Sequence, residues 1–287
     1  MSIPSNFPFY VSMFKIMKNT QIMLKDRGYI IPSSDEFPNP EALYNFVAQN
    51  DNRNRMLGED EKSKQYTLGP RSILNRIYYR ATNNILNQLY PDFKTVFVYW
   101  MDFPPEASKT KTINKNLAVQ AKTTFNDVRA VYPGVDHFGN QINVVETINY
   151  MMIISQAVLN SPAMNSINEV RGKFIDIFLY NELLFLKTKG MLVNKFEIMT
   201  PDQVKTELPL AHISKLKTIA RDDPQVKYWG ARPGQIFRII RDDRGISNSL
   251  GDFSLEYRRV IGKNIESKRI FEKRKRNKAE GEEEDGD

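Results

Sequence analysis

Apolar residues recur at helical spacing near the start of the chain. Residues 8–27 carry one mostly apolar stripe, formed by Met13, Ile16, Met17, Thr20 and Leu24. Such a stripe is typical of an amphipathic helix that packs against a core. Gly28 follows, and glycine readily adopts the left-handed conformation that ends a helix. The pattern therefore predicts a helix over residues 8–27 whose methionines are buried.

Other runs have no polar face. Residues 95–100 read TVFVYW and residues 150–155 read YMMIIS, as expected of strands that are covered on both faces. We expect the first of these strands to lie at the centre of a sheet. Residues 173–186 are also almost continuously apolar, which predicts that they are buried.

Weaker patterns give five further expectations for this half of the chain. Residues 50–64 are polar and predict an exposed loop, whereas residues 71–90 have helical spacing. The candidate core positions of that second helix are Ile73, Ile77, Tyr78, Ile85 and Leu89. Residues 107–124 predict a lysine-containing helix. Residues 131–146 indicate a turn-rich insertion, and a proline-containing loop at 159–164 precedes another helix.

The segment 223–241, DPQVKYWGARPGQIFRIIR, predicts a helix, a turn and a strand in nineteen residues. Asp223 can accept amide protons at a helix start, and Pro224 suits the first helical position because it has no amide proton to satisfy. Gly230 can end that helix. The next residues, RPGQ, place proline and glycine at the centre of a type II turn. A strand with apolar and basic residues should follow.

Two features flank this segment. Thr200 and Gln203, with Pro201 between them, predict a capping box after a strand at 192–198. Residues 253–261 predict a final strand that forms a hairpin with the strand before it.

The residues from 264 onward are highly charged and are expected to be disordered or ordered only by a partner. The KRKR run at 273–276 could serve nuclear import or nucleic-acid contact, or it could be a solvated tail.

Composition limits the chemistry. The 287 residues include 41 Lys and Arg against 34 Asp and Glu, a net charge of +7, which suits contact with nucleic acid or acidic protein surfaces. The absence of cysteine excludes disulfides, thiol catalysis and cysteine-ligated metals. No stretch of about eighteen apolar residues and no signal-peptide pattern is present, so an intracellular protein without a membrane span is expected.

A catalytic or cofactor site is not predicted. The two histidines, His137 and His212, are far apart in sequence and not at metal-ligand spacing. The phosphate-binding glycine motifs are absent. Pro91 and Asp92 match the first half of a nuclease metal motif. The second half, an acid two residues before a lysine and typically some ten to thirty residues later, is missing: the pair at 60–62 precedes Pro91 in a loop, and the pair at 266–268 lies in the tail. We expect no metal and no cofactor.

The segment 223–241 resembles the signature of the fifth common subunit of eukaryotic RNA polymerases, which has a small archaeal equivalent. The shared pattern is roughly DPxxxxxGxxxGxxxxIxR. Residues 196–200 (FEIMT) and 216–219 (LKTI) are similar to the same assembly domain, and residues 14–37 (FKIMKNTQIMLKDRGYIIPSSDEF) to the opening helix of the family's jaw domain. The chain departs from the family at 242–252, where DDRGISNSLGD implies a longer hairpin loop.

The resemblance implies an α/β fold with two domains. An N-terminal three-layer α/β/α jaw domain with a mixed sheet would span 1–186, with insertions near 50–90 and 128–148. A small two-layer α/β assembly domain would span 187–263, and the charged tail 264–287. The insertions and the altered hairpin suggest a divergent lineage such as a large DNA virus. The location would be the nucleus for a cellular protein, and a cytoplasmic replication site or the virion for a viral one.

The resemblance further implies a non-catalytic subunit of a DNA-dependent RNA polymerase. Its partners would be the largest subunit, neighbouring small subunits and downstream duplex DNA, the DNA contacted without sequence specificity; no membrane contact and no homo-oligomer is expected. A free-standing nucleic-acid-binding regulator is the alternative, and a divergent restriction-endonuclease-like nuclease is a weaker one.

Two residue sets follow from the resemblance. The DNA-proximal set is Pro104, Pro105, Lys109, Lys111, Lys115, Ser161 and Pro162. The polymerase-docking set is Asp223, Pro224, Gly230, Arg232, Gly234, Arg238, Arg241, Tyr257 and Arg258. In the second set the glycines and prolines are expected to fix the shape of the domain. The arginines are expected to be exposed and to reach the partner.

Overall fold

The chain folds into two compact units, Met1–Leu186 and Lys187–Asp287. The computed structural model describes residues 7–56, 74–80, 93–101, 112–113, 115–135, 141–168, 173–186, 194–242 and 253–262. The helices are α1 (Phe7–Asp26), α2 (Pro40–Met56), α3 (Lys115–Asp127), α4 (Ser161–Asn168), α5 (Tyr180–Leu184), α6 (Pro201–Glu207), α7 (Leu210–Ile213) and α8 (Pro224–Trp229). In this described part of the chain, none of the helices is long and apolar enough to cross a membrane.

The strands divide between the units. The first unit contains β1 (Tyr29–Ile30), β2 (Arg76–Arg80), β3 (Thr95–Trp100), β4 (Thr112–Ile113), β5 (Arg129–Val135), β6 (Gln141–Thr147), β7 (Tyr150–Ser155), β8 (Val158–Leu159) and β9 (Phe174–Leu179). The second unit contains β10 (Lys195–Ile198), β11 (Lys217–Ala220), β12 (Ile236–Asp242) and β13 (Phe253–Ile261).

The first unit is built on a mixed five-stranded sheet in the order β1-β2-β3-β7-β9. β1, β2 and β3 pair antiparallel, whereas β3, β7 and β9 pair parallel. Every residue of β3 and β7 is buried. The prediction that β3 forms the centre of the sheet is therefore confirmed.

Helices cover both faces of this sheet. On one face, Phe97 and Tyr99 of β3 share a core cluster with Ala118 and Phe125 of α3 and Ala163 of α4. The alternate residues Val98 and Trp100 point to the other face, where they line a small cavity with Met17 and Leu24 of α1. Three layers result, and the α/β class predicted for the chain is confirmed.

The predicted N-terminal helix is confirmed as α1, which ends at Asp26. Met13, Met17 and Met23 are buried, and Gly28 has a φ of 83°. Arg27, the residue that follows α1, is only 2% exposed. Its Nη1 donates a hydrogen bond to the Tyr150 hydroxyl at 2.5 Å, and that hydroxyl donates to Asp176 Oδ2 at 2.8 Å.

Three secondary-structure predictions were wrong. Residues 50–56 continue the helix α2 instead of forming a loop. Residues 76–80 form the strand β2, because β1 and β3 pair with its two sides and override its helical spacing. Within the predicted helix at 107–124, residues 112–113 instead pair as a strand with β8, and α3 runs from Lys115; residues 107–111 lie outside the described residues. Residues 57–73 and 81–92, covered by the same predictions, lie outside the described residues.

Two other segments also differ from expectation. The turn-rich insertion at 131–146 is a regular antiparallel hairpin of β5 and β6. The apolar run at 173–186 is less buried than predicted, because β9 lies at the edge of the sheet. Phe174 is 39% exposed and Phe185 is 60% exposed.

The second unit contains a four-stranded sheet in the order β10-β12-β13-β11. β12 pairs antiparallel with β10 and β13, whereas β11 is parallel to β13. The predicted hairpin and final strand are thus confirmed. Val226 and Trp229 of α8 pack with Phe237 and Val260 on one face. Residues of α6 and α7 form a second cluster with Ile236, whose side chain lies on the other face.

Candidate functional site

The segment 223–241 folds as its sequence predicts. The Asp223 carboxylate caps α8 by accepting a hydrogen bond from the amide of Gln225 at 2.8 Å. Gly230 ends the helix in the left-handed region at a φ of 66°. The amide of Gln235 donates to the carbonyl of Arg232 at 3.1 Å to close the turn, in which Gly234 has a φ of 95°. Each of these features follows from local chemistry.

The helix and the strand of this segment share one core. Val226, Ala231 and Phe237 are at most 2% exposed and belong to a single cluster with Ile239 and Val260. Because the helix packs directly on the strand that follows it, the turn between them has little freedom to move. The segment therefore presents its polar side chains from a rigid base.

Arg238, on the other face of the sheet, lies between two carboxylates. Its Nε and Nη2 donate to Glu197 Oε2 at 3.0 and 2.7 Å, and its Nη1 donates to Glu207 Oε1 at 2.7 Å. The Tyr257 hydroxyl donates to Glu207 Oε2 at 3.0 Å. We call Glu197, Glu207, Arg238 and Tyr257 the Arg238 network. It links α6 to strands β10, β12 and β13.

These contacts shift the pKa values of the network. Hydrogen bonding from Lys195, assisted by Arg238, lowers the pKa of Glu197 below its usual 4.5. Hydrogen bonding to Glu197 in turn raises the pKa of Arg238. Burial, followed by the hydrogen bond to Glu207, raises the pKa of Tyr257. The carboxylate and the guanidinium are thus both held in their charged forms.

A second cluster lies on the face that packs against α8. Glu256 of β13 receives hydrogen bonds from Arg258 Nε at 3.0 Å and from Arg241 Nη2, and the Nζ of Lys217 lies 3.3 Å from the same carboxylate. Burial alone would raise the pKa of Glu256. The hydrogen bonds from Arg258 and Lys217 lower this pKa by more than burial raises it, so the pKa is lowered overall. We call Lys217, Arg241, Glu256 and Arg258 the Glu256 cluster.

The predicted docking arginines are therefore not uniformly exposed. The side chains of Arg238, Arg258 and Arg241 are 25%, 33% and 40% exposed, and each contacts a carboxylate of its own unit. The sequence interpretation missed those acids, namely Glu197, Glu207 and Glu256, and also missed Lys217. Strand register alone would have placed Glu197 opposite Arg238. No local sequence signal identifies Glu207.

The described residues of the predicted DNA-proximal set come together in the first unit. Lys115 begins α3, and Ser161 and Pro162 begin α4 instead of lying in a loop. Parallel pairing of β4 with β8 holds these two helix starts side by side. Neither helix has an acidic residue in its first turn. Pro104, Pro105, Lys109 and Lys111 lie outside the described residues.

Metal-ligating side chains do not converge in the described part of the chain. Across those ranges, no group of three or more His, Cys, Asp or Glu side chains could hold a metal ion. Pro91 and Asp92, which carried the nuclease alternative, are outside those ranges, as are both of its acid and lysine pairs. His212 lies in α7, and His137 is not described.

Comparison with known proteins gives a family model, which matches the second unit, and curated relatives that align with part of the chain. Residues 185–260 match the family model described as RNA polymerase Rpb5, C-terminal domain. Curated relatives from Caenorhabditis briggsae and Caenorhabditis elegans are 31% identical over 120 residues, and both are described as DNA-directed RNA polymerases I, II, and III subunit RPABC1. The alignment covers 40% of this chain and 54% of each relative, so the chain spans about half the length of the curated relatives it matches. The resemblance predicted from the sequence is confirmed over these residues.

Proposed function

We propose that the protein is a non-catalytic subunit of a multisubunit DNA-dependent RNA polymerase. The observation that carries this proposal is the match of residues 185–260 to the Rpb5 C-terminal domain, together with relatives that are described as polymerase subunits. The folded signature supports it, since the cap, the helix end and the turn of residues 223–241 all take the conformations that their sequence requires. The catalytic site would belong to other subunits.

In this proposal the second unit docks on the largest polymerase subunit. Asp223, Pro224, Gly230 and Gly234 act indirectly by fixing the shape of the helix and turn. Contacts to the partner come from side chains displayed around them. The proposed contact residues are Arg232, Arg241 and Arg258, whereas Arg238 and Tyr257, also predicted as contacts, bind carboxylates of their own unit.

The first unit is proposed to act as a jaw that lies beside downstream duplex DNA. The adjacent starts of α3 and α4 support this role, because the helix dipole favours anions near a helix N-terminus. Lys115 adds a positive charge at this position. Contacts of this kind bind the phosphate backbone and do not read bases.

Co-purification tests the proposed function. The full chain, carrying an affinity tag, is purified from its native source at moderate salt, and the bound proteins are quantified by mass spectrometry. We expect a stoichiometric complex with the largest polymerase subunit. An isolated monomer that shifts duplex DNA would instead support a free-standing nucleic-acid-binding regulator, and a complex without polymerase subunits would contradict the proposal.

The DNA contact is tested within the purified polymerase. Lys115→Glu should reduce retention of downstream duplex DNA and lower the dependence of binding on salt concentration. Lys205→Glu is the matched control, because Lys205 is also exposed, with 74% of its side chain accessible, but lies in the second unit. An unchanged salt dependence for Lys115→Glu would contradict the proposed position of the first unit.

A further inference from the structure

The Glu256 cluster has more positive charge than its own carboxylate can neutralise. Three cations, Lys217, Arg241 and Arg258, surround the single carboxylate of Glu256. On the strand residues of this face that the structure describes, Glu256 is the one acidic side chain. Two positive charges therefore remain in excess. A cluster of this kind favours the approach of a further anion.

The cluster is oriented to receive that anion from solvent. The carboxylate of Glu256 lies inside, with 15% of its side chain exposed, whereas the side chain of Lys217 is 77% exposed. Arg241 has a side chain that is 40% exposed, yet its Nε is buried and has no hydrogen-bond partner. Two guanidinium groups offer several donors in a planar fork that matches a carboxylate. The exposed parts of Lys217 and Arg241 thus face solvent around a largely buried acid.

The Arg238 network provides the contrast. All three of the nitrogens of the Arg238 guanidinium donate to carboxylates of the same unit, and Lys195 forms an additional ion pair with Glu197. Two acids balance two cations there. Arg238 and Arg241, three residues apart on β12, therefore have different roles. Arg238 belongs to a network whose charges balance within the unit, whereas Arg241 belongs to a cluster with excess positive charge.

We propose that the Glu256 cluster binds an acidic side chain of a partner protein, and that Lys217, Arg241 and Arg258 supply the contacts. This inference rests on the proposed function, which provides a protein that docks on the second unit. Duplex DNA carries one charge per about 1.7 Å of helix axis and is bound by rows of cations, so a compact site with an internal acid favours a protein carboxylate.

Binding of a fluorescent hexaglutamate peptide to the full chain at low ionic strength tests the proposal. Replacing Arg241 or Arg258 by Gln should weaken binding about tenfold, and Lys217→Gln about threefold, in line with the strength of charged and exposed pairs. Glu256→Gln should instead tighten binding, because it removes the internal competitor; a purely structural role for Glu256 would not produce that result. Lys215→Gln, which makes the same charge change two residues from Lys217, should leave binding unchanged.

Several results would overturn the proposal. One is peptide binding that is indifferent to the three cations, or that falls equally in Lys215→Gln. Another is a duplex of about 20 base pairs that binds more tightly than the peptide and depends on the same residues, which would make phosphate the ligand. A third is tighter peptide binding after the six acids of residues 280–287 are changed to amides, which would make the chain's own tail the occupant.

The same variants separate this inference from the proposed function. If the chain binds the peptide through the Glu256 cluster but never co-purifies with polymerase, the binding site is supported and the proposed function is contradicted. A chain that co-purifies with polymerase while its peptide binding ignores the cluster would remove the site alone. Thermal unfolding of each variant confirms that the second unit remains folded during these measurements.

Discussion

The two units stabilise their charged groups in different environments. In the first unit, Arg27 is 2% exposed and donates to Tyr150, which donates to Asp176. In the second unit, Arg238 bonds to Glu197 and Glu207 with 25% of its side chain exposed. Both networks join elements that are distant in sequence.

The two networks differ in whether water can replace a hydrogen-bonding partner that a mutation removes. Water can reach the Arg238 network and solvate a carboxylate that has lost its arginine, so such pairs contribute little net free energy. Water cannot reach the Arg27 site in the same way, and an orphaned buried group therefore costs its full desolvation. Burial, and not the number of hydrogen bonds, should set the energetic importance of each network.

The largest effect is expected at the buried site. Arg27→Met should lower the free energy of unfolding of the first unit by about 3–5 kcal/mol, because the buried Tyr150 hydroxyl loses its charged donor and the hydrogen-bond chain to Asp176 loses its positive end. Trp100 and Trp229 are the two tryptophans of the chain. Urea unfolding in a Trp229→Phe background therefore follows the first unit through Trp100. Tyr150→Phe, which removes only the hydroxyl, should cost about 1–3 kcal/mol. If Arg27→Met lowers the free energy of unfolding by less than Arg238→Gln does, burial does not set the energetic importance of the two networks.

An intermediate effect is expected at the partly exposed site. Arg238→Gln should destabilise the second unit by about 1 kcal/mol, since Glu197 and Glu207 lose their shared donor but remain accessible to water. The measurement is urea unfolding followed through Trp229 in a Trp100→Phe background. Lys205→Gln is the control, because its pair with Asp202 is highly exposed, and we expect a change within about 0.5 kcal/mol.

The effect of low pH on the stability of the second unit, through Glu197, should be smaller than the effect of Arg238→Gln. The pKa of Glu197 in the folded protein is lowered below 4.5, so the carboxylate stabilises the fold above its unfolded-state pKa and loses that contribution as the pH falls through the lowered value. We expect Glu197→Gln to reduce the loss of stability below about pH 4.5 by less than about 1 kcal/mol. Unfolding of the second unit measured between about pH 3 and 7 tests this sign; a loss on raising the pH would contradict it.

The smallest effect is expected at the solvent-exposed pair of Lys25 and Glu36. Hydrogen bonding from Lys25 lowers the pKa of Glu36, and the two side chains are 52% and 37% exposed. Glu36→Gln should nevertheless leave the unfolding transition of the first unit unchanged, because solvent and salt screen the pair. A clear shift in the urea midpoint would show that burial does not rank these networks.

Local chemistry explains what the sequence could predict. Asp223, Gly230 and Thr200 act through neighbours within three residues, and the structure confirms their cap, helix end and capping box. The runs at 95–100 and 150–155 also had to be buried strands, because no polar face was available. Such features need no knowledge of distant residues.

Contacts between distant residues explain what the sequence could not predict. Residues 76–80 have helical spacing, but strands on both sides pair with them. Arg27 is buried by Tyr150, which follows 123 residues later in the chain. Arg238 meets Glu207 across 31 residues, so its apparent role as a free surface cation could not be assessed from residues 223–241 alone.

The hairpin of β5 and β6 has a consequence for how this chain can vary in length. Arg129 lies opposite Thr147 in the antiparallel register, so the two ends of the hairpin are adjacent. The chain leaves α3 and enters β7 from nearly the same place, however far the hairpin extends. Evolution can therefore lengthen, shorten or replace residues 131–145 without moving the central sheet, and an engineer could insert a reporter there on the same grounds.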